Sequence, residues 1–164
     1  MYDLDRFRRA QDAPDAGFAL ALRELEAGCK TSHWIWYVFP QLAGLGRSST
    51  AVYYGLEGAE EAAEYLRDGV LGERLVAAAA VVRGHLAGTG GRPARIERLM
   101  GSEIDALKLV SCMTLFAHVA RTLGAAESQP RFAAMAAHAE AILDAAAAQG
   151  YGHCAFTRDV LRSG

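Results

Sequence analysis

This chain of 164 residues lacks the features of disulfide-rich, zinc-binding, membrane-spanning and nucleic-acid-binding proteins. Its three cysteines, Cys29, Cys112 and Cys154, are odd in number and widely spaced, so they indicate no disulfide framework and no Cys-x-x-Cys zinc pair. No stretch of about 18 apolar residues occurs, and no membrane span is therefore expected. The net charge of −2 provides no basic field that would recruit nucleic acid.

The start of the chain also lacks a signal peptide, because residues 1–17 are charged throughout and have no apolar centre. The cytoplasm is therefore the expected location. A hydrophobic fraction of 52% and a charged fraction of 22% are ordinary for a globular protein. There is no internal repeat and no credible linker, so we expect a single domain over residues 1–164.

Apolar residues recur at helical spacing along most of the chain, and none of the segments alternates as a strand would. We therefore expect an all-α fold, a single compact helical domain. The predicted helices span residues 3–11, 18–27, 57–67, 72–86, 102–123 and 131–148, with single turns at 96–100 and around 159–161. Residues 44–50 are predicted to form a loop.

The helix from Ser102 has the strongest pattern, because Ser102-x-x-Asp105 resembles a capping box. Its apolar positions cover more than one face, which predicts that it crosses the centre of the domain. On one side we expect it to bury Leu107, Val110, Thr114 and Ala117.

An aromatic segment, residues 30–48, holds both tryptophans and is predicted to contain a short irregular or helical turn ending at Pro40. Its aromatic residues are either core or a stacking surface for a flat ring such as a nucleobase. Core is the safer interpretation for any one of them. The functional interpretation is favoured by three polar neighbours, Lys30, His33 and Gln41, because charged and amide groups rarely crowd a purely structural aromatic cluster.

Further polar residues have both a structural and a functional interpretation. The loop at residues 44–49 could hold an anion through glycine backbone, Arg47 and Ser48, although such a loop is more often a turn. Asp105 and Lys108 share a helix face, either as a surface ion pair or as part of a site. Glu24 is either an ion-pair partner of Lys30 or a tuned acid.

Two kinds of site find no support in the sequence. None of the five histidines forms a pair with the spacing of a zinc motif, and no metal site or cofactor is expected. A serine nucleophile is not indicated either, because no Gly-x-Ser-x-Gly elbow is present.

Several motifs, in the same order along the chain, resemble those of the bacterial family of unknown function DUF1810, whose members are often mislabelled calpastatin. They are Leu4-Asp5-Arg6-Phe7, Ala21-Leu22-Arg23-Glu24-Leu25, Ser32-His33-Trp34-Ile35-Trp36-Tyr37-Val38-Phe39-Pro40-Gln41-Leu42, Gly44-Leu45-Gly46-Arg47-Ser48, Val70-Leu71-Gly72-Glu73-Arg74-Leu75, and Asp105-Ala106-Leu107-Lys108-Leu109 with Ser111-Cys112-Met113-Thr114-Leu115-Phe116. The chain departs from the family where Asp68-Gly69 replaces His-Pro and where Ala106 replaces a second acid. None of these departures touches the aromatic segment.

A more distant similarity connects Asp105, Lys108 and Leu115-Phe116 with the YbiA-like, or NADAR, superfamily of helical N-glycosidases. Those proteins act on ADP-ribosyl groups or on ribosylated pyrimidine intermediates of riboflavin synthesis. The similarity implies a YbiA-like helical fold and a nucleotide-like small-molecule ligand. Cleavage of an N-glycosidic bond requires an aromatic clamp, a carboxylate and a cation for phosphate.

From this resemblance we expect an N-glycosidase, or a binder of a nucleotide-like or ADP-ribose-containing ligand. The expected catalytic residues are Glu24 or Asp105 as the carboxylate, with His33 positioning the substrate. The expected ligand-binding residues are Lys30, Trp34, Trp36, Gln41, Arg47, Ser48 and Lys108. The alternative is a non-catalytic interaction module of unknown partner, and the sequence assigns no oligomeric state.

These two interpretations predict different structures. The enzyme requires Lys30 and His33 to lie in one concave pocket with Asp105 and Lys108. In that arrangement Lys30→Ala would abolish ligand binding and leave the fold largely intact. The interaction module predicts buried tryptophans and scattered polar groups.

Overall fold

The computed structural model describes all 164 residues, which form ten helices and no strand. The all-α prediction is confirmed. The helices are α1 (Asp5–Gln11), α2 (Phe18–Glu26), α3 (Ile35–Val38), α4 (Ser49–Tyr54), α5 (Ala59–Arg67), α6 (Gly69–Ala87), α7 (Ile96–Leu99), α8 (Glu103–Ala126), α9 (Pro130–Ala148) and α10 (Ala155–Ser163). One isolated parallel bridge joins Leu42 to Leu56.

Helix α8 lies at the centre of a single hydrophobic core, as its sequence pattern predicted. The Ser102 hydroxyl caps it by accepting a hydrogen bond from the Asp105 N–H at 3.0 Å. Residues 109–117 are all buried, and α8 contacts α3, α5, α7, α9 and α10. By length and composition α8 is apolar enough to cross a membrane, but 67% of that window is buried inside the protein, as in a core helix.

The first two turns of α8 depart from the predicted burial. Leu107 is 52% exposed and Ile104 is 67% exposed, so the expectation that Leu107 is buried is wrong. These two residues are three apart and share the outer face of the helix at the edge of the domain. Ala106 and Leu109 lie on the opposite face and are fully buried there.

Helices α6 and α9 pack beside each other, and α9 also packs on α8. Asp68 caps α6 by accepting from the N–H groups of Val70 and Leu71, which is why the helix begins before the predicted Gly72. At the other end Gly88 has a φ of 76°, a left-handed conformation that suits glycine and ends the helix.

The short helices α1 to α5 hold the aromatic segment against α8. A buried ion pair between Arg6 and Glu61, 2.9 Å apart, joins α1 to α5. Arg6 also donates to the carbonyl oxygens of Tyr53 and Gly55 at the end of α4. Ser48 caps α4, so the prediction that residues 49–50 belong to a loop is wrong. This helix has only six residues and depends on tertiary contacts.

Candidate functional site

Glu24 fixes the start of the aromatic segment. Helix α2 ends just before Gly28, whose φ of 86° turns the chain back over the last turn of the helix. One carboxylate oxygen of Glu24 accepts from the N–H groups of Thr31 at 2.8 Å and Ser32 at 2.9 Å, and from the Trp34 indole at 2.9 Å. The other oxygen accepts from the Ser32 hydroxyl at 2.6 Å.

These hydrogen bonds set the protonation of Glu24. Burial raises the pKa of this carboxyl group, but the bonds from the Ser32 hydroxyl, the Thr31 N–H, the Trp34 indole and the Ser32 N–H outweigh it and lower the pKa to about 2. Four donors from the chain itself therefore occupy an ionised carboxylate. This arrangement supports a structural function for Glu24 rather than proton transfer near neutral pH.

Lys30 joins the aromatic segment to α8. Its backbone N–H donates to the Leu99 carbonyl at 2.8 Å, and its Nζ lies 2.7 Å from Asp105 Oδ2 and 2.5 Å from the Ser32 carbonyl oxygen. The Lys30 side chain is 5% exposed and the Asp105 side chain 16%. The contact between Lys30 and Asp105 that the predicted site requires is therefore present. The cost of burying an unpaired charge explains it, because each ion compensates the other.

Lys108 connects this ion pair to the surface. Its Nζ lies 3.8 Å from Asp105 Oδ1 and 4.6 Å from the centre of the Trp36 ring. Of the 17 lysines and arginines in the sequence, only Lys30 and Lys108 are lysines, and both lie beside Asp105. An ammonium group is a compact point charge, unlike the wide guanidinium fork, so two of them fit around one carboxylate. This compositional signal was available in the sequence and was missed there.

An open groove of about 580 Å³ lies between α3 and α4, and we call it the α3–α4 groove. Its lining residues are His33, Trp36, Tyr37, Ser49, Thr50, Tyr53 and Tyr54. The three tyrosines give it more aromatic surface than the sequence analysis assigned, since Tyr53 and Tyr54 were not among the predicted residues. Their signal was the pair of tyrosines five and six residues after Ser48.

A narrow crevice adjoins the α3–α4 groove. It holds about 10 Å³, roughly one water molecule. Trp36 and Tyr54 line both the groove and the crevice, and Gln41 and Lys108 line the crevice. The Ser111 hydroxyl donates to Gln41 Oε1 at 2.5 Å, which ties the crevice wall to α8.

The structure brings some predicted site residues together and separates others. His33 lines the α3–α4 groove, whereas Lys30 and Asp105 line none of the main cavities, so the single pocket expected for them is not formed. Trp34 is fully buried, and the stacking role predicted for it is wrong. Its indole N–H bonds Glu24 and its ring packs in the core.

The remaining predicted residues, Arg47 and Ser48, are both exposed and line none of the main cavities. The Ser48 hydroxyl accepts from the Ala51 N–H at 3.1 Å, so its function in the structure is to cap α4. No group of three or more histidine, cysteine, aspartate and glutamate side chains is arranged to hold a metal ion.

The model of the family described as a protein of unknown function, DUF1810, matches residues 1–144. The chain belongs to the DUF1810 family. The crystal structure of the conserved hypothetical protein Rv1873 from Mycobacterium tuberculosis is similar over 98% of this chain and 97% of that one, with 38% sequence identity and a TM-score of 0.76. No curated protein matches the sequence.

These comparisons establish the family of this DUF1810 protein and identify a solved structure that is similar to it, but they assign no activity. The similarity to the NADAR superfamily is not among them and stays a prediction. The family match contains Glu24, Lys30, Trp36, Asp105 and Lys108, so every residue around the ion pair belongs to the DUF1810 region. Helix α10 begins after residue 144, where that match ends.

Proposed function

We propose that this DUF1810 protein binds a nucleotide-like ligand in the α3–α4 groove, with the negative charge of the ligand directed towards Lys108 in the adjoining crevice, which shares Trp36 and Tyr54 with the groove. The observation that carries the proposal is the position of the Lys108 ammonium group, 4.6 Å from the Trp36 ring centre and 3.8 Å from Asp105. An aromatic face, a partly exposed cation and a carboxylate are thereby joined at one place.

The groove suits a flat, polar ligand. Base–aromatic stacking contributes about 1–3 kcal/mol per base and accepts any base, because every base has a π face. Trp36 and Tyr53 supply such surfaces, and Tyr53 is 51% exposed. Ser49 and Thr50 offer hydroxyl groups for a sugar, and the volume of about 580 Å³ falls in the usual range for small-molecule sites.

The finer form of the proposal is N-glycoside hydrolysis with Asp105 as the carboxylate. Glu24 is fully occupied by four donors, which leaves Asp105 as the better candidate of the two predicted acids. In this proposal Lys30 orients Asp105 through the 2.7 Å ion pair. Because Asp105 lines none of the main cavities, this form of the proposal requires Lys108 to move aside, so that Asp105 stabilises positive charge developing on the sugar or orients a water molecule for attack.

Binding is tested by the change in melting temperature with AMP, ADP-ribose and a ribosylated pyrimidine, because a ligand that binds only the native state stabilises it. We expect at least one of them to raise the melting temperature of the wild type. Trp36→Ala and Lys108→Met are expected to abolish this increase. The control is Arg23→Met, which removes an exposed cation on α2 that lines none of the main cavities.

Hydrolysis is tested separately by chromatography of the released base. If the protein is a glycosidase, Asp105→Asn is expected to bind the ligand and release base at least about a hundredfold more slowly. Binding without release in the wild type would instead establish a binder with no hydrolase activity.

A second candidate is a helical interaction module, and one observation favours it. The Lys30–Asp105 pair is buried and lines none of the main cavities, and the α3–α4 groove is open, which fits a structural ion pair under a protein-binding surface. Val52 and Tyr53 of α4 are exposed at 64% and 51%. The module predicts no response to any nucleotide in the melting experiment and no effect of Trp36→Ala on it.

A further inference from the structure

A second cavity, of about 540 Å³, lies between α8, α9 and α10, and we call it the α10 cleft. It shares no lining residue with the α3–α4 groove. Eight of its eleven lining residues are not hydrophobic, so its chemistry is polar. Its volume lies within the range of small-molecule sites, about 300 to 1,000 Å³.

Helix α10 is held in place by contacts with α8 and with the loop before α4. The Cys154 N–H donates to the Thr114 hydroxyl oxygen at 3.2 Å, where the chain enters α10. Thr157 is fully buried and its hydroxyl lies 3.2 Å from the Cys154 sulfur. The Phe156 ring packs so close to Gly44 that a Cβ there would be 3.0 Å from it. The cleft is therefore a feature of the packed domain.

Cationic and imidazole side chains dominate the lining. Three arginines come from two helices, Arg121 on α8 and Arg158 and Arg162 on α10. Two histidines, His118 and His153, face the same space. The whole chain has a net charge of −2, so this concentration of cations is local.

The acidic residues neutralise only part of this charge. Glu140 lies 2.7 Å from Arg121 across α8 and α9, and Asp144 is the other carboxylate of the lining. Arg162 lies 3.9 Å from Asp159 in an exposed pair, a distance at which little energy is gained. Arg158 forms no ion pair. Without counting the histidines, three guanidinium groups face two carboxylates in the lining.

We propose that the α10 cleft binds the phosphate group of a small organic phosphate. Guanidinium groups match the geometry of phosphate oxygens with two parallel hydrogen bonds, and Arg158 and Arg162 are the two that Glu140 does not engage. His118 and His153 supply further ring N–H donors. A phosphate group alone would leave much of the 540 Å³ unfilled, which leaves room for the organic part of the ligand.

The test uses inorganic pyrophosphate as the probe, titrated calorimetrically into the full chain at low ionic strength, with sodium chloride of equal ionic strength as the reference. We expect saturable binding to the wild type. Arg158→Gln and Arg162→Gln are each expected to weaken it at least about tenfold. The matched control is Arg23→Gln, because Arg23 is an exposed arginine on α2, which contacts α1 and α6.

Circular dichroism melting of each variant establishes that the domain remains folded. Absence of saturable pyrophosphate binding to the wild type would overturn the proposal. Equal weakening by Arg23→Gln and Arg158→Gln would also overturn it, because the effect would then be one of net charge. Trp36→Ala is expected to bind pyrophosphate as the wild type does. The experiment therefore tests the α10 cleft independently of the α3–α4 groove.

Discussion

Glu24 gives the sharpest prediction about how the site is held together. Replacement by glutamine keeps the size of the side chain and a carbonyl oxygen for the Thr31 and Ser32 N–H groups, but it removes the negative charge. The charge is what strengthens the four hydrogen bonds and lowers the pKa of Glu24 to about 2. Glu24→Gln is therefore expected to destabilise the fold and leave its helices in place.

The magnitude follows from the pKa. A lowering from 4.5 to about 2 corresponds to about 3 kcal/mol at 1.36 kcal/mol per pKa unit. Solvent screens a carboxylate that is only partly buried, so we expect about 1–2 kcal/mol of this in the free energy of unfolding at pH 7. The control is Glu26→Gln, an exposed glutamate in the last turn of the same helix, with an expected change below about 0.5 kcal/mol.

The contribution of Glu24 to stability depends on pH, and its direction follows from the lowered pKa. The pKa of Glu24 in the folded state lies below its unfolded value, so the carboxylate stabilises the fold above about pH 4.5 and loses this contribution as the pH falls towards 2. Urea unfolding at pH 7, 5 and 3 measures it. The difference between wild type and Glu24→Gln is expected to fall to less than half between pH 7 and pH 3. A difference that is absent at pH 7, or that does not change with pH, would refute the reasoning.

Two further predictions concern stability. Glu61→Gln leaves the charge of Arg6 buried without its ionised partner 2.9 Å away. We expect urea unfolding to show that the free energy of unfolding falls by about 3–5 kcal/mol. A decrease below about 1 kcal/mol would contradict the structural importance of this pair. Gly101 and Gly90 have φ values of 84° and 85°, but only at Gly101 would a Cβ meet the Lys30 carbonyl oxygen, at 2.5 Å. Gly101→Ala is therefore expected to lower the free energy of unfolding by at least about 1 kcal/mol more than Gly90→Ala does. Equal melting temperatures of the two variants would show that the backbone around Gly101 shifts without loss of stability.

The parts of the structure that followed from the sequence depend on local patterns and on the cost of burying charge. The long helices were predictable because their apolar spacing and caps, such as Ser102, are local. The contact between Lys30 and Asp105 was predictable because a charge among buried aromatic residues requires a partner of opposite sign.

The features that could not be predicted from the sequence depend on how elements distant in the chain pack against each other. Helix α4 is too short for its own propensity to define it, and the α3–α4 groove exists because α4 packs beside α3. Leu107 has the right spacing for burial, but no element covers that face of α8. The interpretation of Trp34 as a stacking residue failed because periodicity does not distinguish a buried ring from one at a surface.

The most direct test of ligand binding beside Lys108 uses the scarcity of lysine. Lys30, Lys108 and the N-terminus carry the only amines open to reductive ¹³C-methylation, which keeps their positive charge, and Lys108→Arg identifies the Lys108 signal by NMR. We expect AMP or ADP-ribose to shift the Lys108 signal saturably in the wild type and to leave it unchanged in Trp36→Ala. A Lys108 signal that responds to neither ligand, or that responds equally in Trp36→Ala, would contradict a nucleotide site at the α3–α4 groove.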